Sequence, residues 1–274
     1  MTYIELLKRI DALAPLPKTV LDIEEFKKTD NYDTNDLVKI IEQDPLMVST
    51  ILKTANSAMF GFVSKIDSLS KAVSLLGINF TISIALASGI KNAINSQLVV
   101  YGGDSDMFLR IANMQSNFVS LWMNQVDMEL KKELILPSFL QESGKFLINN
   151  AVMDEGKKDD FLKQVNERFD DISTVEKEFV GMSSADVTSA IFKHWNIAQS
   201  IIGGIKYSDD VSKVLPQFEK QAKILNIVKL VCNISKPLDE RCIEKARQRV
   251  EDFGFDLKPF DAAVVKMQTR ISEE

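Results

Sequence analysis

The side chains that could do chemistry are few in this chain. His194 is its single histidine, and Cys232 and Cys242 are its two cysteines. The cysteines show no metal-ligand spacing and no partner histidines. In a reducing compartment they read as free thiols, Cys232 being buried on an apolar helix face. The carboxylate doublets Asp159-Asp160, Asp170-Asp171 and Asp209-Asp210 offer the hard oxygen donors that a magnesium- or calcium-type cation prefers. At turns and helix starts the same acids simply complement the helix dipole. His194 precedes Trp195 at a helix end, where an imidazolium meets exposed carbonyls, and no nucleophile or orienting carboxylate is marked out beside it. No Gly-x-x-x-x-Gly-Lys loop and no Gly-x-Ser-x-Gly elbow occurs, and Gly102-Gly103 and Gly203-Gly204 lack the surroundings of a dinucleotide site. Gly203-Gly204, within an apolar helix, reads as close helix packing or a kink.

The elements that must position these groups are helices almost throughout. Glycine (11) and proline (7) are sparse among 274 residues, and no sustained period-two alternation marks a strand. The expectation is an all-α multi-helical bundle of at least twelve helices. Short amphipathic helices are expected over Tyr3–Leu13, Val20–Lys28 and Thr34–Glu42, the third capped by Asp33 or Thr34, followed by Pro45–Asn56, Ser68–Leu76 and Asn79–Asn95. Gln97–Ser105 is the best internal boundary. Beyond it come Met107–Val126, then Glu133–Asn150 interrupted by Pro137 and Gly144, and Asp159–Phe169, Asp171–Val180 and Ser183–Trp195. Ile197–Ile205, Leu215–Ile234, Asp239–Phe253 and Leu257–Ile271 complete the series. The stripes of the last two, with Ile243, Ala246, Val250, Phe253, Phe260, Val264, Met267 and Ile271, call for burial on the same body.

Composition excludes several classes. The hydrophobic share of 45% and charged share of 26% are those of a soluble globular protein. No stretch approaches the roughly 18 uninterrupted apolar residues of a membrane span, and the N-terminus carries no secretory signal pattern, so cytoplasmic residence is expected. A net charge of −6 argues against a general nucleic-acid binder. The arginines of 241–249 alternate with Glu240, Glu244 and Glu251, the pattern of a solvated helix face.

One continuous stretch stands out, from Leu16-Pro17 to Leu76-Gly77. Asp44-Pro45 is a helix start, because proline pre-sets φ there and has no amide hydrogen to lose. Met47, Val48, Ile51, Leu52 and Ala55 follow on one helix face, which makes Leu52 a candidate core residue. Asn56-Ser57 falls where that helix ends, and Gly61 where the chain turns. Ser68 can cap the next helix, whose Leu69, Ala72, Val73 and Leu76 form a stripe before Gly77. In this order and spacing, Gln43-Asp44-Pro45, Ala55-Asn56-Ser57-Ala58-Met59-Phe60-Gly61, Ile66-Asp67-Ser68 and Ala72-Val73-Ser74-Leu75-Leu76-Gly77 resemble the HDOD family, the HD-related output domain of bacterial signalling proteins. Asp44, Asn56, Ser57 and Gly61 form a candidate interaction segment, with capping and turning as their plain structural role.

The resemblance implies an HD-like fold, in which related phosphohydrolases hold one or two metal ions with histidines and aspartates. Pro137-Ser138-Phe139-Leu140-Gln141-Glu142-Ser143-Gly144-Lys145 looks like the helix carrying Leu-Leu-His-Asp-Ile-Gly-Lys, which puts Gln141 and Glu142 at the His-Asp positions. The first ligand histidine would fall near Met114-Gln115-Ser116. Ser184-Ala185-Asp186-Val187 with Phe192-Lys193-His194-Trp195 resembles a segment whose ligand position is Ser184. The later positions fall near Ser208-Asp209 and near Cys232 or Asn233. Every expected imidazole is absent, and a histidine-rich dinuclear site cannot be built from one histidine. The resemblance therefore implies a non-catalytic signalling or adaptor protein with no metal and no cofactor. It would act through a protein partner or a small ligand in motility, gene expression or cyclic-dinucleotide signalling. The domain division that follows is an HDOD domain over 1–214, made of bundles 1–100 and 101–214, with C-terminal helices 215–274 packed on it. The alternative is a divergent hydrolase using Glu142, Asp186, Asp209 and Asp210 as an oxygen-rich site suited to magnesium or manganese.

Overall fold

The computed structural model describes residues 3–28, 33–62, 64–94, 96–104 and 106–272. Among them are sixteen α-helices and no strand: α1 (Tyr3–Asp11), α2 (Lys18–Phe26), α3 (Thr34–Ile41), α4 (Pro45–Ala55), α5 (Leu69–Leu76), α6 (Ile78–Ile94), α7 (Met107–Met123), α8 (Met128–Leu140), α9 (Gly144–Asp154), α10 (Lys158–Glu167), α11 (Ile172–Val180), α12 (Ser184–His194), α13 (Gln199–Lys206), α14 (Glu219–Val231), α15 (Glu240–Asp252) and α16 (Leu257–Ser272). The all-α expectation holds.

Local chemistry sets many of the ends. Asp33 caps α3 by accepting from Asn35 N. Asp44 accepts from Leu46 N and Met47 N at 3.1 and 3.0 Å, one residue before the proline at the first position of α4. Each such carboxylate fills amides that a helix start leaves orphaned. Ser183 caps α12, in a reciprocal box with Asp186.

α6 is the hub of the first half. Twelve of its residues, from Phe80 to Ile94, are buried, so it is covered over most of its length, as a helix surrounded by others must be. α2, α3, α4 and α5 pack on one side of it, and α8 and α9 on another. α5 enters it through a 118° bend at Gly77, whose φ of +83° favours a residue without a Cβ. A single buried apolar cluster runs from Leu6 to Met267. α16 packs on α7 and on the 3₁₀ turn Ala58–Phe60. No single helix among the described residues is long and apolar enough to cross a membrane.

Several expected boundaries shift. The segment expected as one helix over Glu133–Asn150 is two, because the chain turns at Gln141-Glu142-Ser143 between α8 and α9; Pro137 lies inside α8 without ending it. The Leu215–Ile234 helix is shorter at both ends, since Pro216–Phe218 forms a separate 3₁₀ turn. Gly203 and Gly204 do mark close packing: a Cβ on Gly203 would lie 2.3 Å from the Phe218 ring.

α4 corrects a core assignment. Its buried face is Met47, Ile51, Thr54 and Ala55, while Leu52 is only half-buried and lines an open groove. Asn56 meanwhile ties that helix end to the chain ten residues on. Its Nδ2 donates to Leu52 O and Ile66 O, and its Oδ1 accepts from Ile66 N at 2.8 Å. Ile51→Ala should therefore cost about 2–5 kcal/mol and Leu52→Ala clearly less. Asn56→Ala, losing paired bonds to the backbone, should cost about 1–3 kcal/mol. Urea unfolding of the three variants gives the ranking directly.

Candidate functional site

The turn Gln141-Glu142-Ser143 opens into a buried charge cluster. Gly144 begins α9 so close to α12 that a Cβ there would lie 2.5 Å from Ser184 O and 2.7 Å from Thr188 N. Gly144 N donates to Thr188 Oγ1, whose hydroxyl donates to Gln141 O. This contact, available only to glycine, brings the turn and the start of α12 together.

Lys145, next along α9, points its ammonium between two carboxylates. It donates to Glu176 Oε1, and Glu142 Oε2 lies 3.3 Å away, outside hydrogen-bond geometry. Glu176 also accepts from Tyr101 Oη at 3.0 Å and from Ser184 N at 2.6 Å, and the Lys145 ammonium stands 4.7 Å over the Tyr101 ring. A second ammonium, Lys229 of α14, donates to Asp209 Oδ1 at 2.6 Å and to Ser184 Oγ at 3.1 Å. Asp209 Oδ2 accepts from Ala185 N. Amides complete the cluster: Gln115 of α7 donates from Nε2 to Glu142 Oε1 and to the Cys232 carbonyl, and Gln141 Nε2 donates to Gln115 Oε1 at 2.8 Å.

The charges are set by one another. Burial pulls the Lys145 ammonium down, but the carboxylates of Glu142 and Glu176 outweigh it and its pKa stands above the ordinary lysine value. Burial likewise opposes the Lys229 charge, and Asp209 raises it well beyond the usual range. Asp209 itself, pushed up by burial, is held below the carboxylate value by Lys229. Burial, with Glu176 beside it, pushes the Tyr101 phenol up. A polar cavity of about 110 Å³ adjoins the cluster, with Glu142, Ser184, Asp209, Lys229 and Arg249 on its walls.

The positions named from sequence divide. Gln141, Glu142, Ser184 and Asp209 meet in this cluster, and Cys232 joins through its carbonyl; its thiol, pushed up by burial, takes no part. Ser208 is buried but turned to its own helix end, donating to Ile205 O. Of the other acids in the oxygen-rich alternative, Asp186 is spent in the α12 cap, and Asp210 caps a 3₁₀ turn beside Lys213 and Ser212, which hold its pKa at about 2. His194 is exposed at the end of α12. Asp44 and Asn56 have the capping and tying roles described above. Ser57 Oγ is buried without a partner, and Gly61 turns the chain at a φ of +61°.

Sequence reading missed Lys229 and Glu176. Both break an apolar stripe: Glu176 shares the buried face of α11 with Ile172, Val175 and Val180, and Lys229 sits among Ile227, Val228, Leu230 and Val231. A charge at a core position was the signal, since it asks for a buried partner of opposite sign: Glu176 finds Lys145 and Lys229 finds Asp209.

A metal does not fit these donors. Asp209 and Ser184 already face the Lys229 ammonium, Glu142 faces an amide and the Lys145 ammonium, and a divalent ion placed there would have to displace both cations. No group of three or more His, Cys, Asp or Glu among the described residues is arranged to hold an ion.

Known proteins fit this picture. The HDOD domain family matches residues 13–211. A Treponema pallidum protein described as uncharacterized is 22% identical over 202 residues, which are 73% of this chain and 38% of that protein; the chain spans well under half of that relative's length. Among solved structures, an HDOD domain protein of Geobacter sulfurreducens aligns with a TM-score of 0.69 at 16% identity, covering 98% of this chain and 95% of that one. A Shewanella amazonensis protein whose name suggests a phosphohydrolase aligns at 0.68 and 20% identity, covering 97% and 94%. At such identities the two structures speak for the fold alone.

Two tests of the cluster follow. Lys229→Met leaves Asp209 buried and uncompensated and should cost about 3–5 kcal/mol in urea unfolding. The depressed Asp209 pKa contributes stability that is present above the unfolded value near 4 and is lost as pH falls through the lower folded value. The raised lysine pKa values contribute stability that is present below about 10.5 and lost at higher pH. Melting temperature should thus hold a plateau between these limits, and Asp209→Asn should flatten its acid limb.

Proposed function

The chain belongs to the HDOD family, and we propose that it is a non-catalytic regulatory protein of a bacterial signalling pathway, working by binding rather than by turnover. One observation carries this reading: the ammonium of Lys229 bonds to Asp209 and Ser184, two residues that the family resemblance aligns with metal-holding positions of related hydrolases. A protein cation there supplies charge neutralisation and rigidity. It offers no open coordination position and generates no hydroxide, which are what a hydrolytic metal contributes.

In this reading residues 1–214 form the HDOD domain, from bundles 1–100 and 101–214, with 215–274 packed on it, and the chain works in the cytoplasm without nucleic acid. The segment Asp44, Asn56, Ser57 and Gly61 is the proposed partner surface. Its support is the open groove of about 780 Å³ beside Asn56, walled by Val48, Leu52, Lys53 and Lys65, which sets half-buried apolar side chains beside exposed basic ones. A protein partner in control of motility, gene expression or cyclic-dinucleotide signalling suits such a surface. Hydrolysis through Glu142, Asp186, Asp209 and Asp210 has no comparable support, because two of the four acids are spent as helix and turn caps.

Elemental analysis of protein purified without chelators, with a manganese-supplemented bis-p-nitrophenyl phosphate assay, tests the reading. The expected result is substoichiometric metal and no turnover above the Lys229→Met control. Stoichiometric metal with phosphodiester hydrolysis would overturn it.

A further inference from the structure

The cationic stripe of α15 is only partly used. Arg241, Lys245 and Arg249 stand at i, i+4 and i+8, on one face of the helix. Asp170 takes the first two, at 2.7 Å from Arg241 and 3.4 Å from Lys245. Arg249 is different. It is half-buried, and its Nη1 donates at 2.7 Å to the neutral amide oxygen of Asn226. No carboxylate among the described residues comes within ion-pair reach of it. Burial pulls its pKa below the ordinary arginine value. A guanidinium withdrawn from water with no acid against it is costly, and it has further N–H donors to offer.

Arg249 stands on the wall of the polar cavity of about 110 Å³ beside the charge cluster. The other charges on that wall are engaged. Lys229 holds Asp209, Lys145 lies against Glu142, and Asp170 has the two cations of α15. The exception is Asp171, exposed at the start of α11, whose charge supports Arg249 from beyond ion-pair reach. Its Oδ1 accepts from the Thr174 hydroxyl at 2.9 Å and does not cap the helix. The first-turn amides of Ile172 and Ser173 therefore have no acceptor among the described residues, and both residues line the cavity. A forked cation and the uncapped start of a nine-residue helix thus meet at one cavity. Both favour a tetrahedral oxyanion. The volume has room for several waters and is well below the ~300–1,000 Å³ usual for small-molecule sites. It suits an ion, not a nucleotide.

We propose that this cavity binds a free phosphate ion, held by the Arg249 guanidinium together with the first turn of α11. The proposal rests on the reading that the chain works by binding, and it gives that reading a ligand. Phosphate would tie α15 to α11 across the mouth of the charge cluster. Ile172 and Ser173 lie inside the family match and Arg249 beyond it, so the C-terminal helices supply the deciding group.

Calorimetric titration of the metal-free protein with inorganic phosphate tests this, with chloride at matched ionic strength as the reference. One phosphate per chain is expected, with a phosphate-dependent rise in melting temperature. Arg249→Gln should weaken binding about tenfold or more, the scale of a hydrogen bond to a charged group. Asp171→Asn removes the one unpaired acid at the mouth and should tighten binding about threefold, the scale of an exposed charge pair. AMP should not displace phosphate. Should Arg249→Gln fail to fold by circular dichroism, Asp171→Asn and AMP still decide. A response no greater than that to chloride, an affinity that Arg249→Gln leaves unchanged, no tightening in Asp171→Asn, or displacement by AMP would each overturn the proposal. A hydrolytic metal would overturn the non-catalytic reading instead, and elemental analysis detects it independently of this titration.

Discussion

Two lysine ammoniums buried among three carboxylates are the constraint on which the second half of the molecule depends. Lys145 reaches from α9 to Glu176 on α11, and Lys229 from α14 to Ser184 at the start of α12 and to Asp209 beyond α13. Taking any one of these ions out of water is costly, and only close pairing offsets it. The helices that carry them therefore cannot shift independently. Gly144 makes that geometry attainable, because the turn bearing Glu142 can seat against α12 only where no Cβ intervenes.

The same cluster accounts for how the helices around it are held against one another. A metal centre holds helices together by charge as well as by coordination. Here glutamine amides and lysine ammoniums supply the hydrogen bonds and positive charge between the helices. Lys229 takes up Asp209 while the amide of Gln115 takes up Glu142 Oε1. The carboxylates are spent on structure.

What the sequence made legible was local. Asp44-Pro45, Ser68 and the Ser183 cap are readable because a helix start satisfies its own amides with the nearest side chain. The register that put Gln141, Glu142 and Ser184 together was readable through the family's spacing. Lys229 and Glu176 were not, because each finds its partner on another helix, and periodicity reports only which face a residue lies on. Leu52 was misplaced for a related reason: it shares an apolar stripe with Ile51, and only the packing of α6 decides which of the two the core receives. Asn56 was recognised as a helix end, yet its tie to Ile66 depends on how the intervening turn closes.

The partners of the cluster straddle the edge of the family match at residue 211. Asp209, Glu142 and Ser184 lie inside it, whereas Lys229 and the Cys232 carbonyl lie beyond. Cutting the polypeptide at that edge would keep Lys145 beside Glu142 and Glu176 but leave the buried Asp209 carboxylate without the ammonium it faces. The matched segment thus does not carry all the positive charge that its own buried acids face. Its last stabilising cation is lent by a segment that bears no family signature.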